Sequence, residues 1–359
     1  MEIINDEAFE NRKKDHIRCS LSDESQSLAT EDWNRIHLIP EALPEIDFEE
    51  VSLEVQSLGR TWSCPFFVSS MTGGHSDSLK INSVLAEVCQ EKSWLLGVGS
   101  QRRELDDSSA PKEWKTLRRS YPRVMLASNI GLSQLIQVHP SKIQELIEHT
   151  EAVALFIHTN PLQECLQQEG TPQFRGGLKA IERICRELTI PVVVKEVGSG
   201  VSPSTIQKLK NAGVKAVDVS GRGGTHWGRV EGLRSPKQSL KAEAAETFKD
   251  WGVSTPMALY AWAKWCANAT VDTTISNHLE MEVWASGGIR NGLQAAKSLA
   301  LGAQRVGLAR PFLETALMGS EAVAELMTLL EYELKMSLFC LGIKNLSELK
   351  QRKVWQWET

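Results

Sequence analysis

The sequence predicts an α/β protein of the (β/α)8 TIM-barrel class, and three observations carry that reading. Eight short runs rich in Val, Ile, Leu and Phe recur along the chain, each run is apolar throughout rather than alternating, and helical spacing fills the intervals. A continuously apolar run marks a strand buried on both faces, the condition of a parallel strand covered by helices. Eight strand–helix units at intervals of about 20–40 residues, with one longer gap, match a barrel. Periodicity alone leaves a doubly wound open sheet as the alternative.

Residues 1–60 precede the first unit. They are charged at first and then partly alternating, and read as an N-terminal extension covering the bottom or side of the barrel. Residues 61–340 hold the barrel. Its strands are expected in "PFFVSSMTGG", "LLGVGSQR", "VMLASNIG", "AVALFIHTN", "PVVVKEVGSG", "AVDVSGRGG", "EVWASGGIR" and "RVGLARPF". Intervening stretches such as "SKIQELIEHT" and "GGLKAIERICREL" supply helices. The long gap after strand six reads as an insertion at about 226–256, polar and flexible in its first half, where barrels commonly carry lids. Residues 341–359 form a C-terminal tail.

Composition narrows the class. Hydrophobic content of 42% and charged content of 24% are ordinary for a globular chain, and a net charge of -5 argues against a nucleic-acid binder. The N-terminus lacks the apolar core of a signal peptide and no run approaches a membrane span. Seven scattered cysteines without a CxxC read as reduced thiols, hence a cytoplasmic protein.

The strand "AVALFI" runs into "HTNPLQE", which crowds His158, Asn160, Gln163 and Glu164 onto the lip of the core. Chemistry in a barrel sits at the C-terminal strand ends. The other ends are equally polar, presenting Thr72, Ser100, Gln101, Arg102, Asn129, Lys195, Ser220, Thr225, Gly288, Arg290, Ala309 and Arg310. "SGRGGT", "ASGGIRNG" and "RVGLARP" add glycines after strands six to eight, where backbone amides can approach a phosphate closely; tight turns are the bland alternative. Lys195 lies inside "VVVKEV", where an unpaired ammonium is disfavoured. With Asn129 and a phosphate site it suits a flavin mononucleotide (FMN). An internal pair with Glu196 or a Schiff-base lysine are the alternatives. Arg12, Lys13 and His16 form a second cationic cluster, which is either a solvated charge run or, with Arg102 and a Mg2+ held by Glu164, a diphosphate grip.

Taken together, "RKKDHI", "SSMTGG", "GVGSQR", "SNIG", "HTNPLQE", "KEVGSGVS", "SGRGGTHW" and "SGGIRNG" resemble the type 2 isopentenyl-diphosphate isomerases, in order from residue 12 to about 313. The resemblance implies a 1,3-allylic proton shift between isopentenyl and dimethylallyl diphosphate, with FMN, Mg2+ and NADPH as reductant, in a homo-oligomer (tetramer or octamer). It implies that Ser70, Met71, Thr72, Ser100, Asn129, Lys195, Ser220, Thr225, Gly288, Ile289, Arg290, Ala309 and Arg310 hold the flavin. Arg12, Lys13, His16, Ser100, Gln101, Arg102 and Gln163 would contact substrate, and Glu164 would ligate the metal. His158, Asn160, Gln163, Trp227 and Glu231 would line the reacting centre, with reduced flavin as acid and base. Thr159 and Arg222 depart from the family's pattern. Rival readings are a 2-hydroxy-acid oxidase, an inosinate dehydrogenase relative, which would want a cysteine after strand six, and a sensor that has lost catalysis.

Overall fold

In the computed structural model, which describes residues 6–27, 31–75, 77–269 and 281–358, eight parallel strands form one sheet curled on itself. They are β1 (Phe66–Val68), β2 (Leu95–Gly97), β3 (Met125–Gly131), β4 (Ala154–Thr159), β5 (Val192–Glu196), β6 (Ala216–Asp218), β7 (Glu282–Trp284) and β8 (Val306–Leu308). β8 pairs with β1, and a bridge between Ala285 and Val306 closes the ring toward β7. The sheet is therefore a barrel and not the open alternative. Each strand falls in the apolar run expected to contain it. The register sets Gly131 beside His158, His158 beside Lys195, and Lys195 beside Asp218, so β3 to β6 present one polar row at the mouth.

The barrel interior explains two glycines by space. Phe66 turns outward and stacks on Trp94, while its neighbour Phe67 turns inward against Phe156 and Trp284, as a period of two requires. A Cβ at Gly307 would lie 2.3 Å from the Phe67 ring, and one at Gly97 would lie 2.9 Å from Phe156. Large rings on some strands are thus matched by bare backbone on others, which makes room for them inside the barrel.

Below these rings lies fully buried Arg305. Its guanidinium sits 4.0 Å from the centre of the Trp62 ring and donates to the Phe66 carbonyl, but Nε and Nη1 have no hydrogen-bond partner. Burial brings its pKa down to about 10. Contact with electron-rich ring faces offsets part of the desolvation. Trp62 belongs to a hairpin, Val55–Ser57 with Arg60–Trp62, fixed to the base of β7 by the Glu282 carboxylate, which accepts from Ser57 Oγ and the Leu58 N–H.

The extension is divided between the two ends of the barrel rather than confined to its bottom or side. The hairpin seals the base and crosses the expected boundary at residue 60. Helix α1 (Asp6–Leu21) lies at the opposite end, over the mouth. Residues 25–27 continue along the loop after β6, where Ser27 N–H donates to the Gly224 carbonyl and His226 N–H to that of Ser25. Residues 1–5 and 28–30 of the extension, and Thr359 of the tail, lie outside the described residues. In the tail, Trp355–Trp357 pairs with Ile36–Leu38.

Among the connections, α2 (Pro161–Leu166) follows β4 directly. After β6 the chain is not loose but forms α3 (Trp227–Arg234) and α4 (Leu240–Thr247). His226 caps α3 and Ser239 caps α4, each accepting a backbone N–H, which satisfies donors that a polar stretch would otherwise leave to water. Helix α5 (Arg310–Met318) opens immediately after β8. No helix among the described residues is long and apolar enough to cross a membrane.

Trp62→Ala should cost about 3–5 kcal/mol, because it opens a cavity and exposes the buried Arg305 charge. A urea midpoint unchanged from the parent would contradict the sealing role.

Candidate active site at the barrel mouth

The C-terminal strand ends enclose a cleft, at the end of the barrel where ligand sites are built. It is lined by Phe9, Arg12, Lys13 and His16 of α1, by Ser70, Met71, Ser100, Arg102, Asn129, His158 and Lys195 from the barrel, by Asn160, Gln163 and Glu164, and by Trp227 of α3. A second part is lined by Gln26, Ser220, Thr225, Gly288, Ile289, Arg290, Ala309 and Arg310. Ser70, Lys195 and Trp227 line both parts, so the two are continuous. Glu164 and Lys195 open onto the same space.

The second part is built from backbone. Gly287 and Gly288 adopt φ of 91° and 78°, and a Cβ there would fall 2.1 Å from the Gly221 carbonyl oxygen and 2.4 Å from the Gly223 backbone. The loops after β6 and β7 therefore meet main chain to main chain, a surface of amides that suits a phosphate. Helix α5 begins at the same place and adds its positive end. Arg310 is held there by the Leu21 carbonyl and Asp23, and Arg290 leans toward Gln26 at 3.4 Å.

Lys195 is buried at the junction. Its Nζ donates to the Glu196 carbonyl at 2.8 Å and lies 3.8 Å from Asp218. Its charge partner is thus Asp218 and not the Glu196 carboxylate, which turns away to accept the Val197 and Ser199 N–H groups. Burial raises Asp218, against the pull of Lys195, and raises Glu196 to about 7. Asp218 also accepts from Ser286 and from the N–H of Ser220, whose φ of 35° is unusual for a residue with a side chain.

The first part is cationic with one carboxylate on its rim. Burial lowers Arg12, with Glu169 opposing and Arg102 adding to it; burial and then Arg12 bring Lys13 to about 8. Both stand over the Phe9 ring, at 5.0 and 5.5 Å. Glu164 accepts from Asn160 Nδ2 at 3.1 Å and from Thr171 N–H at 2.5 Å. Buried Asn160 Oδ1 has no partner. Ser100 and Arg102 enter the cleft, whereas Gln101 does not: its buried amide is spent on Glu104, Leu146 and Asn129. Thr72 lies beside the cleft, hydrogen-bonded to His75.

Glu231 sits behind the cleft wall. Its carboxylate accepts from His16 and Gln163 at 3.0 Å each and from Arg234 at 2.5 Å. Burial alone would raise it, but these donors prevail and hold it below the usual carboxylate range. Burial lowers His16, so the pair is best described as a carboxylate accepting from a neutral ring. Of the two departures, Thr159 donates to the Lys195 carbonyl and Arg222 points toward Asp250; neither removes a cleft group.

Sequence reasoning passed over Asp218, Phe9 and Gln26. Asp218 carried a signal, since an acid inside an apolar run needs a partner as Lys195 does. Phe9 and Gln26 carried none, because only the fold brings them to the mouth.

The arrangement fits an FMN and a Mg2+. Ser69 and Ser70 hydroxyls are buried without partners beside the amide cradle, and Lys195 supplies a fixed cation. No group of three or more acidic, His or Cys ligands occurs among the described residues. A Mg2+ would therefore rely on Glu164, the free Asn160 oxygen, water and ligand phosphate, which is the usual habit of that ion.

Residues 126–356 match the model of the FMN-dependent dehydrogenase family. An isopentenyl-diphosphate delta-isomerase of Bdellovibrio bacteriovorus is 47% identical over 97% of this chain and 98% of its own length. One from Legionella pneumophila strain Paris is 46% identical over 96% of this chain and 97% of its own. The flavin-binding domain of baker's yeast flavocytochrome b2 superposes with a TM-score of 0.68 at 19% identity, covering 99% of this chain and 86% of that one, a likeness of fold.

Lys13 carries its ammonium below about pH 8 and loses it as pH rises through that value. Affinity for inorganic pyrophosphate should fall roughly 10–100-fold across that step, one charged contact being worth about 1.5–3 kcal/mol. Calorimetric titration one unit either side should show the fall, and Lys13→Arg should abolish it. An equal fall in the arginine variant would exclude Lys13 as its source.

Proposed function

The chain belongs to the isopentenyl-diphosphate delta-isomerase family in its FMN-dependent form, and on that premise we propose that it interconverts isopentenyl and dimethylallyl diphosphate by a 1,3-allylic proton shift. The observation that carries this reading is the continuity of an amide-built anion cradle with a cationic cleft through Ser70, Lys195 and Trp227.

In this reading the backbone around Gly288, with Ser220, Thr225, Ile289, Ala309, Arg290 and Arg310, holds the FMN phosphate, and Ser70, Met71, Thr72, Ser100, Asn129 and Lys195 surround its ring. When bound, reduced FMN supplies an electron-rich face and the acid–base group for the allylic proton. Lys195 offsets negative charge on that ring, itself steadied by Asp218. Arg12, Lys13 and Arg102 grip the diphosphate, His16 stands beside them with its N–H given to Glu231, and Glu164 with Asn160 would hold Mg2+ against it. Phe9, Met71 and Trp227 give dry walls for the five-carbon tail, which matters because protonating an alkene generates tertiary cation character that water would quench. Gln163 orients substrate and is itself held from behind by Glu231.

The reaction adds a proton at the terminal alkene carbon and removes one from the methylene beyond the branch. No electrons are exchanged overall, so NADPH serves only to keep the flavin reduced. The exposed Leu317, Met318, Leu329, Tyr332 and Met336 on α5 and α6 (Ser320–Cys340) offer an apolar surface for self-association; in this reading the enzyme is a homo-oligomer, a tetramer or octamer, and works in the cytoplasm.

Anaerobic assay with isopentenyl diphosphate, FMN, Mg2+ and NADPH, omitting each in turn, should give many turnovers per NADPH. One NADPH consumed per product would make the protein an oxidoreductase instead. Glu164→Gln should retain FMN yet need at least about ten-fold more Mg2+ for half-maximal turnover. An unaltered Mg2+ titration would count against Glu164 as the ligand.

A further inference from the structure

Behind the cleft, a run of hydrogen bonds leads from the protein surface to His158. Half-buried His149 lies 2.8 Å from Glu104 Oε2, and Glu104 Oε1 accepts from Trp114 Nε1 at 2.6 Å and from Gln101 Nε2 at 2.9 Å. Gln101 grips Asn129 twice: its side-chain oxygen accepts the Asn129 N–H at 3.0 Å, and its own N–H donates to the Asn129 carbonyl at 2.9 Å. Asn129 Nδ2 then donates to the Val98 carbonyl at 3.1 Å, and its Oδ1 lies 2.9 Å from His158 Nδ1.

This geometry decides a proton. A backbone carbonyl can only accept, so the Asn129 group facing Val98 must be its NH2 and the group facing His158 must be its oxygen. His158 Nδ1 must then carry a hydrogen. The ring is half-buried beside Lys195 of the neighbouring strand, where a second proton would set two cations together, so Nε2 bears the lone pair. Among the described residues Nε2 has no hydrogen-bond partner.

We propose that Gln101 and Glu104 are positioning residues which, through Asn129, lock His158 in its Nδ1–H tautomer, so that the cleft is offered a hydrogen-bond acceptor. Beside the cations of this cleft, such a ring selects a donor, a hydroxyl or a metal-bound water, and gives no N–H to a phosphoryl oxygen. The isomerase reading enters only in what the ring then meets; the tautomer itself belongs to the protein without ligands. Gln101 supports the site from behind and need not touch substrate.

Two-bond 15N–1H correlation spectra of 15N-histidine-labelled protein, recorded without cofactor at neutral pH, read the tautomer directly. The parent should show His158 protonated at Nδ1 alone. Gln101→Met, apolar and close in volume, should shift both ring nitrogens toward the average of two tautomers. Glu104→Gln, which keeps an acceptor for Gln101 and Trp114, should retain the parent pattern. His158 found as Nε2–H or as imidazolium in the parent overturns the proposal without any variant being needed. A folded Gln101→Met protein with the parent spectrum overturns the role given to Gln101. Neither result would bear on whether the enzyme isomerises its substrate, since no turnover is measured.

Discussion

Lys195 carries an ammonium into the mouth of the barrel, at a depth where it is only 5% exposed. Leaving such a group unpaired costs several kcal/mol, so its surroundings are constrained before any ligand is considered. The parallel register meets the constraint by setting Asp218 on the neighbouring strand and bending the chain so that the Glu196 carbonyl faces Nζ. Asp218 is in turn held by Ser286 and Ser220, which draws the loops after β6 and β7 together and brings their glycines into contact. The amide cradle thus follows from the accommodation of one buried charge.

A complementary problem arises on α1. Arg12 and Lys13 crowd together with Arg102, and like charges in a half-dry cleft repel. The fold answers with a ring and with acids placed out of the cleft. Phe9 presents its face to Arg12, Lys13 and Arg103, and Glu231 receives His16 from behind. The positive field is therefore kept toward the open side, where an anionic ligand would complete it, while the wall behind is electrically satisfied.

The hydrogen bonds around Glu104, Gln101 and Asn129 show a third consequence of burial. Polar side chains at strand ends are not all available to a ligand, because those turned into the protein must satisfy one another. Gln101 and Arg102 are adjacent in sequence and point to opposite sides, one into the packing of the barrel wall and one into the cleft. On β1 the strand's own period of two sets Phe66 outward and Phe67 inside the barrel.

The eight strands were legible in the sequence because burial on both faces leaves a local signature, an unbroken apolar run, that no other part of the fold is needed to read. The polar strand ends and the glycine loops were legible for the same reason, as interruptions of that pattern at fixed places. The end of the barrel that the extension covers was not, since the charged stretch of α1 and the partly alternating stretch of the hairpin at residues 55–62 show what element each forms but not which end of the barrel it meets. The partner of Lys195 was likewise decided by register between strands, and the direction of Gln101 by its hydrogen bonds to Glu104, the Leu146 carbonyl and Asn129. Local chemistry determined which residues needed a partner; only the closed barrel, by fixing distances between its strands, decided which partner each received.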